Sequence, residues 1–497
     1  MKRLLYSIIL TIFATGVLYA QDARDALRLS FYNVNGTARS AGMGNAIGAL
    51  GGDFASLSIN PAGSAIYRST EFSFTPSLSY HNANATFEGN RSNDTKYMLN
   101  FSQFGLVTGI PVNNNESGII SVNFGIGYNR LADFNRNFMV GTPSANSTIL
   151  DYFTQYANQI GNPDQFDGYN EGLAWRANLI NYDSNSPQGQ QYWNDIQNNG
   201  YKQSLTRSIN TSGGIDEYVF NIGTNINHRI YLGATIGVQN VYYKETFMHS
   251  EVDENGTIDF FNSLDYSGYN KTTGSGVNIK LGAIFRPVDN LRLGIAFHSP
   301  TFYDLHDTYD RTMQSSVNDN AGVAVISNVM PDYVGEYDYK LETPLKLVLS
   351  GSYLFGKEGL ISVDYEYTDY STMKLRSGGD GYDFKNENND ISNIYGATQN
   401  LRIGGEYRPL DFLALRAGIE LIGNPYRSTA FNASQPNKNF SYTNYAVGFG
   451  IRQSSYFFDI AYKLTDSKEY NALYPGGSMA KYNVNSNQLL FTLGFKF

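Results

Sequence analysis

From about residue 70 to Phe497 the sequence falls into roughly fourteen segments of alternating apolar and polar residues, joined by connections that are short and long in turn. That connectivity belongs to an antiparallel sheet closed on itself across a membrane, with the tight turns on one side and the long loops on the other. Turn formers crowd the short joins at 111–117, 227–229, 286–290, 356–359, 408–411 and 452–455. Long polar connections are expected at 81–96, 131–215, 249–274, 299–335, 371–397, 423–440 and 465–486. The expected fold class is all-β: a membrane-spanning antiparallel β-barrel of about fourteen strands.

Within 121–129, Val122, Phe124, Ile126 and Tyr128 share one face, and Ser121, Asn123, Gly125 and Gly127 share the other. The first set is assigned to lipid and the second to the lumen. Leu232, Ala234, Ile236 and Val238 repeat the split, as do Val277, Ile279, Leu281 and Phe285, and Leu291, Leu293, Ile295 and Phe297. A soluble sandwich also alternates, but rarely with this loop asymmetry and these chain ends. Lys2 and Arg3 precede an apolar run, Leu4 to Leu18, and then Ala20-Gln21, the layout of a secretory signal peptide cleaved after Ala20. At the other end Leu489, Phe491, Leu493, Phe495 and Phe497 alternate strictly, and a terminal Phe on such a strand resembles the signal read by barrel-assembly machinery.

A mean hydropathy of −0.34 suits a barrel, in which only alternate strand residues meet lipid. With 39 Tyr and 31 Phe but 2 Trp, the interfacial girdles are expected to be Tyr and Phe. Net charge is −9, and −11 without Lys2 and Arg3, which argues against a nucleic-acid partner. The absence of cysteine fits a wall closed by hydrogen bonds rather than by disulfides. Projecting the strands turns Lys280, Arg292, Lys346, Arg402 and Arg416 inward with Asp364, Glu406, Glu420 and Asp459. The plainer account is an internal salt-bridge lattice that stiffens the wall and holds a plug. The sharper one makes Arg292, Arg402 or Arg416 a bidentate clamp for a substrate carboxylate.

About fourteen strands enclose a lumen that admits water, and the residues ahead of the first strand supply a filler. Gly36 to Gly63, GTARSAGMGNAIGALGGDFASLSINPAG, is dense in small residues that pack closely. The organisation read from the chain is a signal peptide at 1–20, a hatch or plug at 21–69 and a barrel with long outer loops at 70–497. Gly42-Met43-Gly44 with Gly48 imitates a dinucleotide fingerprint, but no β-α-β context surrounds it.

The stretch closely resembles the N-terminal hatch of the FadL/TodX (OMPP1) family of outer-membrane transporters. The marks are the GTARSAGMG run, Asp53 to Ser56 and Asn60-Pro61-Ala62-Gly63, with echoes at 291–294, 298–300, 343–344, 402–409 and 416–418. The resemblance implies passive uptake of hydrophobic molecules, long-chain fatty acids or aromatic hydrocarbons, without a cofactor. It implies a monomer in the bacterial outer membrane, among lipid and lipopolysaccharide, inserted by the barrel-assembly machinery. Gly42, Gly44, Asn60, Pro61 and Ala62 would belong to the hatch, which shifts to release cargo. The family's third strand kinks inward to open a lateral gate; here that strand carries Gly125 and Gly127, whose alternative role is to make room for the plug. Gly51-Gly52-Asp53-Phe54 breaks the family's acidic pair, and the loop at 131–215 is unusually long. Some relatives look like barrels of the type IX secretion system, so a protein-secretion scaffold is the alternative; haem uptake is a third, without an evident axial-ligand arrangement.

In the long loop Ile149, Phe153, Tyr156 and Ile160 recur at helical spacing after Asn146-Ser147-Thr148, followed by Leu173, Trp175, Leu179 and Ile180. Such apolar surface is buried either by the loop itself or by a ligand, and Phe153, Tyr156, Ile160 and Trp175 are the capture candidates. No catalytic residue and no metal site is expected. His81, His228, His249, His298 and His306 have no site-building spacing, and Asp304, His306, Asp307 and Asp310 read as a solvated acidic loop.

Overall fold

The computed structural model describes residues 22–32, 34–112, 118–428 and 440–497. The expected signal segment 1–20 and parts of the joins at 111–117 and 423–440 lie outside the described residues. Fourteen antiparallel staves close into one barrel. They are Glu71–Phe87, Asn90–Pro111, Ile119–Asp133 continued by Arg136–Thr142, Ser204–Ile226, Ile230–Val252, Phe261–Val288, Leu291–His298 continued by Phe302–Asn318, and Gly335–Glu342 continued by Lys346–Phe355. Gly359–Asp369 with Lys374–Ser377, then Ala397–Leu410, Leu413–Ile422, Ser441–Arg452, Tyr456–Ala472 and Met479–Lys496 complete the wall. The seam pairs the first and last strands from Glu71↔Lys496 to Thr86↔Lys481, leaving no edge.

The alternation sorts as expected. Phe124, Ile126, Ile236, Ile279, Leu281, Leu293 and Ile295 are exposed, forming the apolar belt, while Asn123, Asn278, Lys280 and Arg402 are buried within. Tyr128 is the exception on its face: it is buried between Phe104 and Tyr218, at ring-centroid distances of 5.2 and 5.9 Å, with its hydroxyl donated to Asp216. No described helix is long and apolar enough to cross a membrane.

Several expected loops are strand instead. The connection anticipated at 81–96 is a hairpin in which Glu88 and Gly89, both at positive φ, join two paired strands. The regions 249–274, 299–335 and 465–486 likewise consist largely of strand. Ile230–Val252 alone has 23 residues, about twice the nine to eleven a bilayer requires. These extensions carry Asn, Ser, Thr and Tyr on both faces, which reads as loop, yet pairing satisfies their backbone as fully as in the belt.

The N-terminal segment fills the lumen. Helix α1 (Ala23–Ser30) starts at Asp22, whose carboxylate accepts from the Arg24 and Asp25 amides, while Asp25 reaches back to the Asp22 amide in a capping box. Helix α2 (Ala38–Gly42) is capped by Thr37, whose hydroxyl accepts from Ser40, and α3 (Ser56–Ile59) leads into a 3-10 turn at Pro61–Ile66. Asn60 caps that turn and donates its amide to the Gly48 carbonyl at 2.7 Å, tying the Asn-Pro-Ala corner to the glycine run. At Gly44, φ is +59° and an added Cβ would lie 2.8 Å from the Ile419 nitrogen, so the hatch backbone rests directly on the Leu413–Ile422 strand. Gly42 has neither constraint: its nearest neighbour would be 3.4 Å away.

The third strand keeps a continuous pairing register through its glycines. Gly125 pairs with Val107 and Asn221, and Gly127 with Gly105 and Val219; the register shifts lie at Ile119/Ser121 and Arg130/Ala132 instead. An added Cβ at Gly125 would meet Leu57 Cδ2 at 2.5 Å, and one at Gly127 would meet Phe54 Cζ at the same distance. A Cβ on Gly105 would strike the same Phe54 ring at 2.1 Å. The expected bulge at Gly125 and Gly127 is thus absent here, because the glycines form a notch that the hatch occupies. Phe54, which replaces the second acid of the resembled hatch, is the side chain that fills it.

Candidate functional site

Above the hatch lies a cavity of about 1330 Å³, floored by α1 with Phe31 and Tyr32, and roofed by the loop helix α4 (Ile149–Ile160). That volume exceeds the range usual for a drug-sized ligand. Helix α4 begins at Thr148 in a capping box with Asp151 and ends at Gly161 at φ +77°; Glu251 accepts from the Ile149 amide at 2.9 Å and anchors the helix to the fifth strand. Beside it α5 (Glu171–Arg176) and the segments around Leu179 and Ile196 bury Leu150, Phe153 and Ala157 in a core shared with the strand extensions, among them Phe87, Leu264 and Met313.

Of the capture candidates, Phe153, Tyr156 and Ile160 line the cavity. Trp175 does not; it packs within the loop against Phe166 and Tyr192, at centroid distances of 6.3 and 5.8 Å. The loop thus buries most of its apolar surface within the protein and turns one aromatic face of α4 to the cavity. Residues that sequence reasoning did not single out, Tyr152, Phe247, Tyr266, Tyr309 and Tyr482, complete the aromatic wall. Most of them sit on strand extensions, where alternation alone marked them as no different from loop.

The lumen arginines lie elsewhere. Arg402 pairs with Glu366 at 2.9 Å, and Arg416 with Glu406 at 2.8 Å and Asp459 at 2.7 Å. Arg292 donates to the hatch carbonyl of Leu50 at 2.6 Å. None of the three lines the large cavity, and their partners belong to the protein, so the carboxylate-clamp expectation gives way to the lattice. Lys280 with Glu217, and Arg39 of the hatch with Glu406, extend it. Asp304 and His306 pair with Lys340 and Asp338, whereas Asp307 turns inward to the Tyr339 hydroxyl, so this acidic stretch divides between two faces.

Tyr32 and Leu131 form the partition beneath the cavity. Below them is a space of about 30 Å³ among Lys280, His298, Lys346, Glu366 and Arg402, large enough for a water molecule. Lys346 Nζ stands 4.1 Å from the Tyr32 ring centroid, holding that ring from below by a cation–π contact. At the floor, burial raises the Asp25 carboxyl to about 7 against the pull of Arg28, helped by the charges of Asp22 and Asp307.

A closed barrel of fourteen strands, plugged from its own N-terminus and roofed over an aromatic chamber, defines a membrane-spanning channel protein. A family model of outer membrane protein transport proteins (OMPP1/FadL/TodX) matches residues 216–493, more than half of the chain, and the chain belongs to that family. No curated protein sequence matches it. Among solved structures the fold is similar to that of a Pseudomonas aeruginosa FadL homologue, at 14% identity and a TM-score of 0.53, covering 94% of this chain and 99% of that one. It is also similar to the P. putida toluene transporter TodX, at 12% identity and a TM-score of 0.52, covering 93% and 98%.

Proposed function

We propose that this protein carries small hydrophobic molecules passively across the outer membrane, taking them from outside into the aromatic chamber. The observation that supports this most is the chamber itself, with Phe153, Tyr156 and Ile160 on its roof and Tyr32 and Leu131 closing its floor. Apolar burial at roughly 25 cal/mol per Å² suffices to draw such molecules from water, so no nucleotide is needed. Passage beyond the partition requires the hatch to shift, since the space below accommodates only water. Lateral release at Gly125 and Gly127 would further require Phe54 and Leu57 to leave their notch.

Uptake of labelled fatty acids and aromatic hydrocarbons by a deletion strain, with and without the complementing gene, tests the proposal. Complementation is expected to raise uptake of at least one class. Equal uptake of every hydrophobic class in both strains would refute it.

A further inference from the structure

The arginines of the upper chamber fall into two groups, Arg24, Arg28 and Arg136 each standing beside a carboxylate. Arg28 is engaged by Asp25, and Arg136 pairs with Glu469 at 3.1 Å. Arg207, on the fourth strand, and Arg311, on the seventh stave, are different. Among the described residues, neither guanidinium has a carboxylate oxygen within the 4.0 Å of an ion pair. Arg311 donates only to neutral acceptors, the Tyr269 and Asp310 carbonyls, both at 2.8 Å, and Asn270 Oδ1 at 2.7 Å. Arg207 Nε is buried with no hydrogen-bond partner. Both face one ring: their Cζ atoms lie 4.8 and 5.1 Å from the Phe247 centroid.

A partly buried guanidinium with no carboxylate in contact is under-satisfied, and its planar fork matches a carboxylate in two parallel hydrogen bonds. The acids nearby turn their oxygens to neutral donors and contact neither guanidinium. Glu245 accepts from the Tyr243 hydroxyl at 2.7 Å, and Asp167 from the Tyr169 amide and Asn170. The apolar part of the surroundings is ring rather than chain. Phe247 meets Tyr266 at 5.4 Å, and Tyr266 meets Phe153 edge-on at 5.5 Å, a geometry that receives another ring by edge or offset stacking.

We propose that Arg207 and Arg311 clamp the carboxylate of an aromatic acid whose ring lies against Phe153, Tyr266 and Phe247. This rests on the chamber being the entry site for cargo and narrows that cargo to a ring-bearing anion. A neutral hydrocarbon would fill the same volume and leave both charges unpaired.

The test is equilibrium binding to the full-length, detergent-solubilised protein of 2-naphthoate, its neutral analogue 2-naphthalenemethanol, and dodecanoate. 2-Naphthoate is expected to bind tightest, and Arg207→Gln and Arg311→Gln each to weaken it about tenfold or more while leaving 2-naphthalenemethanol unchanged. Arg207→Lys, which keeps the charge without the fork, should retain part of the affinity, and heat-modifiable gel mobility verifies that each variant is a folded barrel. Equal loss for the acid and the alcohol, or no loss for either, overturns the clamp. Dodecanoate binding as tightly as 2-naphthoate overturns the aromatic assignment, and failure of all three to bind overturns the entry-site reading as well.

Discussion

Replacing Phe54 by Ala should loosen the hatch without unfolding the barrel. The ring is fully buried, and it is the object that added Cβ atoms on Gly105 and Gly127 would strike at 2.1 and 2.5 Å. The glycine notch cannot collapse around Ala, because its walls are backbone held in ladders on both sides. Buried Phe→Ala changes cost about 3–5 kcal/mol where the site stays open. Here that loss falls on hatch docking, since the wall keeps its own hydrogen bonds. At about 1.4 kcal/mol per decade, the undocked population should rise by roughly two to three and a half orders of magnitude. Amide hydrogen exchange reads this directly: protection over 36–63 should fall by that factor, while protection in the ladders from Ser204 to Phe285 stays at the parental level. Unchanged protection over 36–63 would refute the reasoning, and equal loss in hatch and wall would mean that the plug supports the barrel rather than occupying it.

Arg402→Met should destabilise the wall by about 3–5 kcal/mol, because Glu366 is left buried without its partner; Arg402→Met combined with Glu366→Leu should recover most of that in the temperature of heat-modifiable unfolding. Thr148→Ala removes the α4 cap and should cost about 1 kcal/mol, visible as faster exchange in 149–160 alone. Asp25, with its ordinary 3.8 raised to about 7, binds its proton more tightly in the folded hatch than in the unfolded chain. Its contribution is therefore full below about pH 4 and is lost as pH rises through 7. Exchange of α1 amides, corrected for intrinsic rates, should accelerate across that window, and Asp25→Asn should flatten the profile.

The belt was legible because bilayer and lumen impose opposite polarity on alternate residues, so Phe124 and Ile126 declare their side against Asn123. The hatch was legible because close approach restricts residue size at Gly44, against the Ile419 backbone, and at Gly48 and Gly63, against the Ser350 and Ser56 side chains. Above the membrane neither rule applies. Residues 81–96 form paired strands, and although Ala83, Ala85 and Phe87 alternate with Asn82, Asn84 and Thr86, two alanines are a weak apolar signal and the returning arm from Asn90 to Lys96 is polar on both faces. The chamber was half legible: helical spacing located Phe153, Tyr156 and Ile160, but Arg207 and Arg311 stand 104 positions apart, and only the sheet brings both to Phe247. The lumen arginines were placed on the right face and given a ligand role that their neighbours already fill, since a face assignment does not reveal a partner on the next strand, as for Arg402, or the one after, as for Arg416 with Asp459.

The way the wall grips the plug explains why so little identity sufficed for the resemblance. Arg292 donates to the carbonyl of Leu50, His298 to Ile59, Thr235 to Leu57, Asn221 to Pro61, and Asn123 to both Ser64 and Tyr67. Each of these bonds reads backbone, which any residue supplies. The hatch side chains under steric demand are those where backbone meets backbone or where Asn60 must cap the Pro61 turn. Side chains add to this grip at Arg39, Asn45 and Ser58, which meet Glu406, Glu420 and Glu217, so the plug can change many of its other side chains while keeping its glycines and its Asn-Pro-Ala corner. Such a grip is also divisible: the contacts are separate hydrogen bonds, with the Arg39–Glu406 ion pair among them, spread over several staves, so one end of the plug can detach while the other stays docked. Exchange should then show 36–63 opening in at least two units with different free energies, the segment against Phe54 and Leu57 separating from the one held at Glu420 and Asp364. A single opening free energy across the whole segment would mean that the plug moves only as one body.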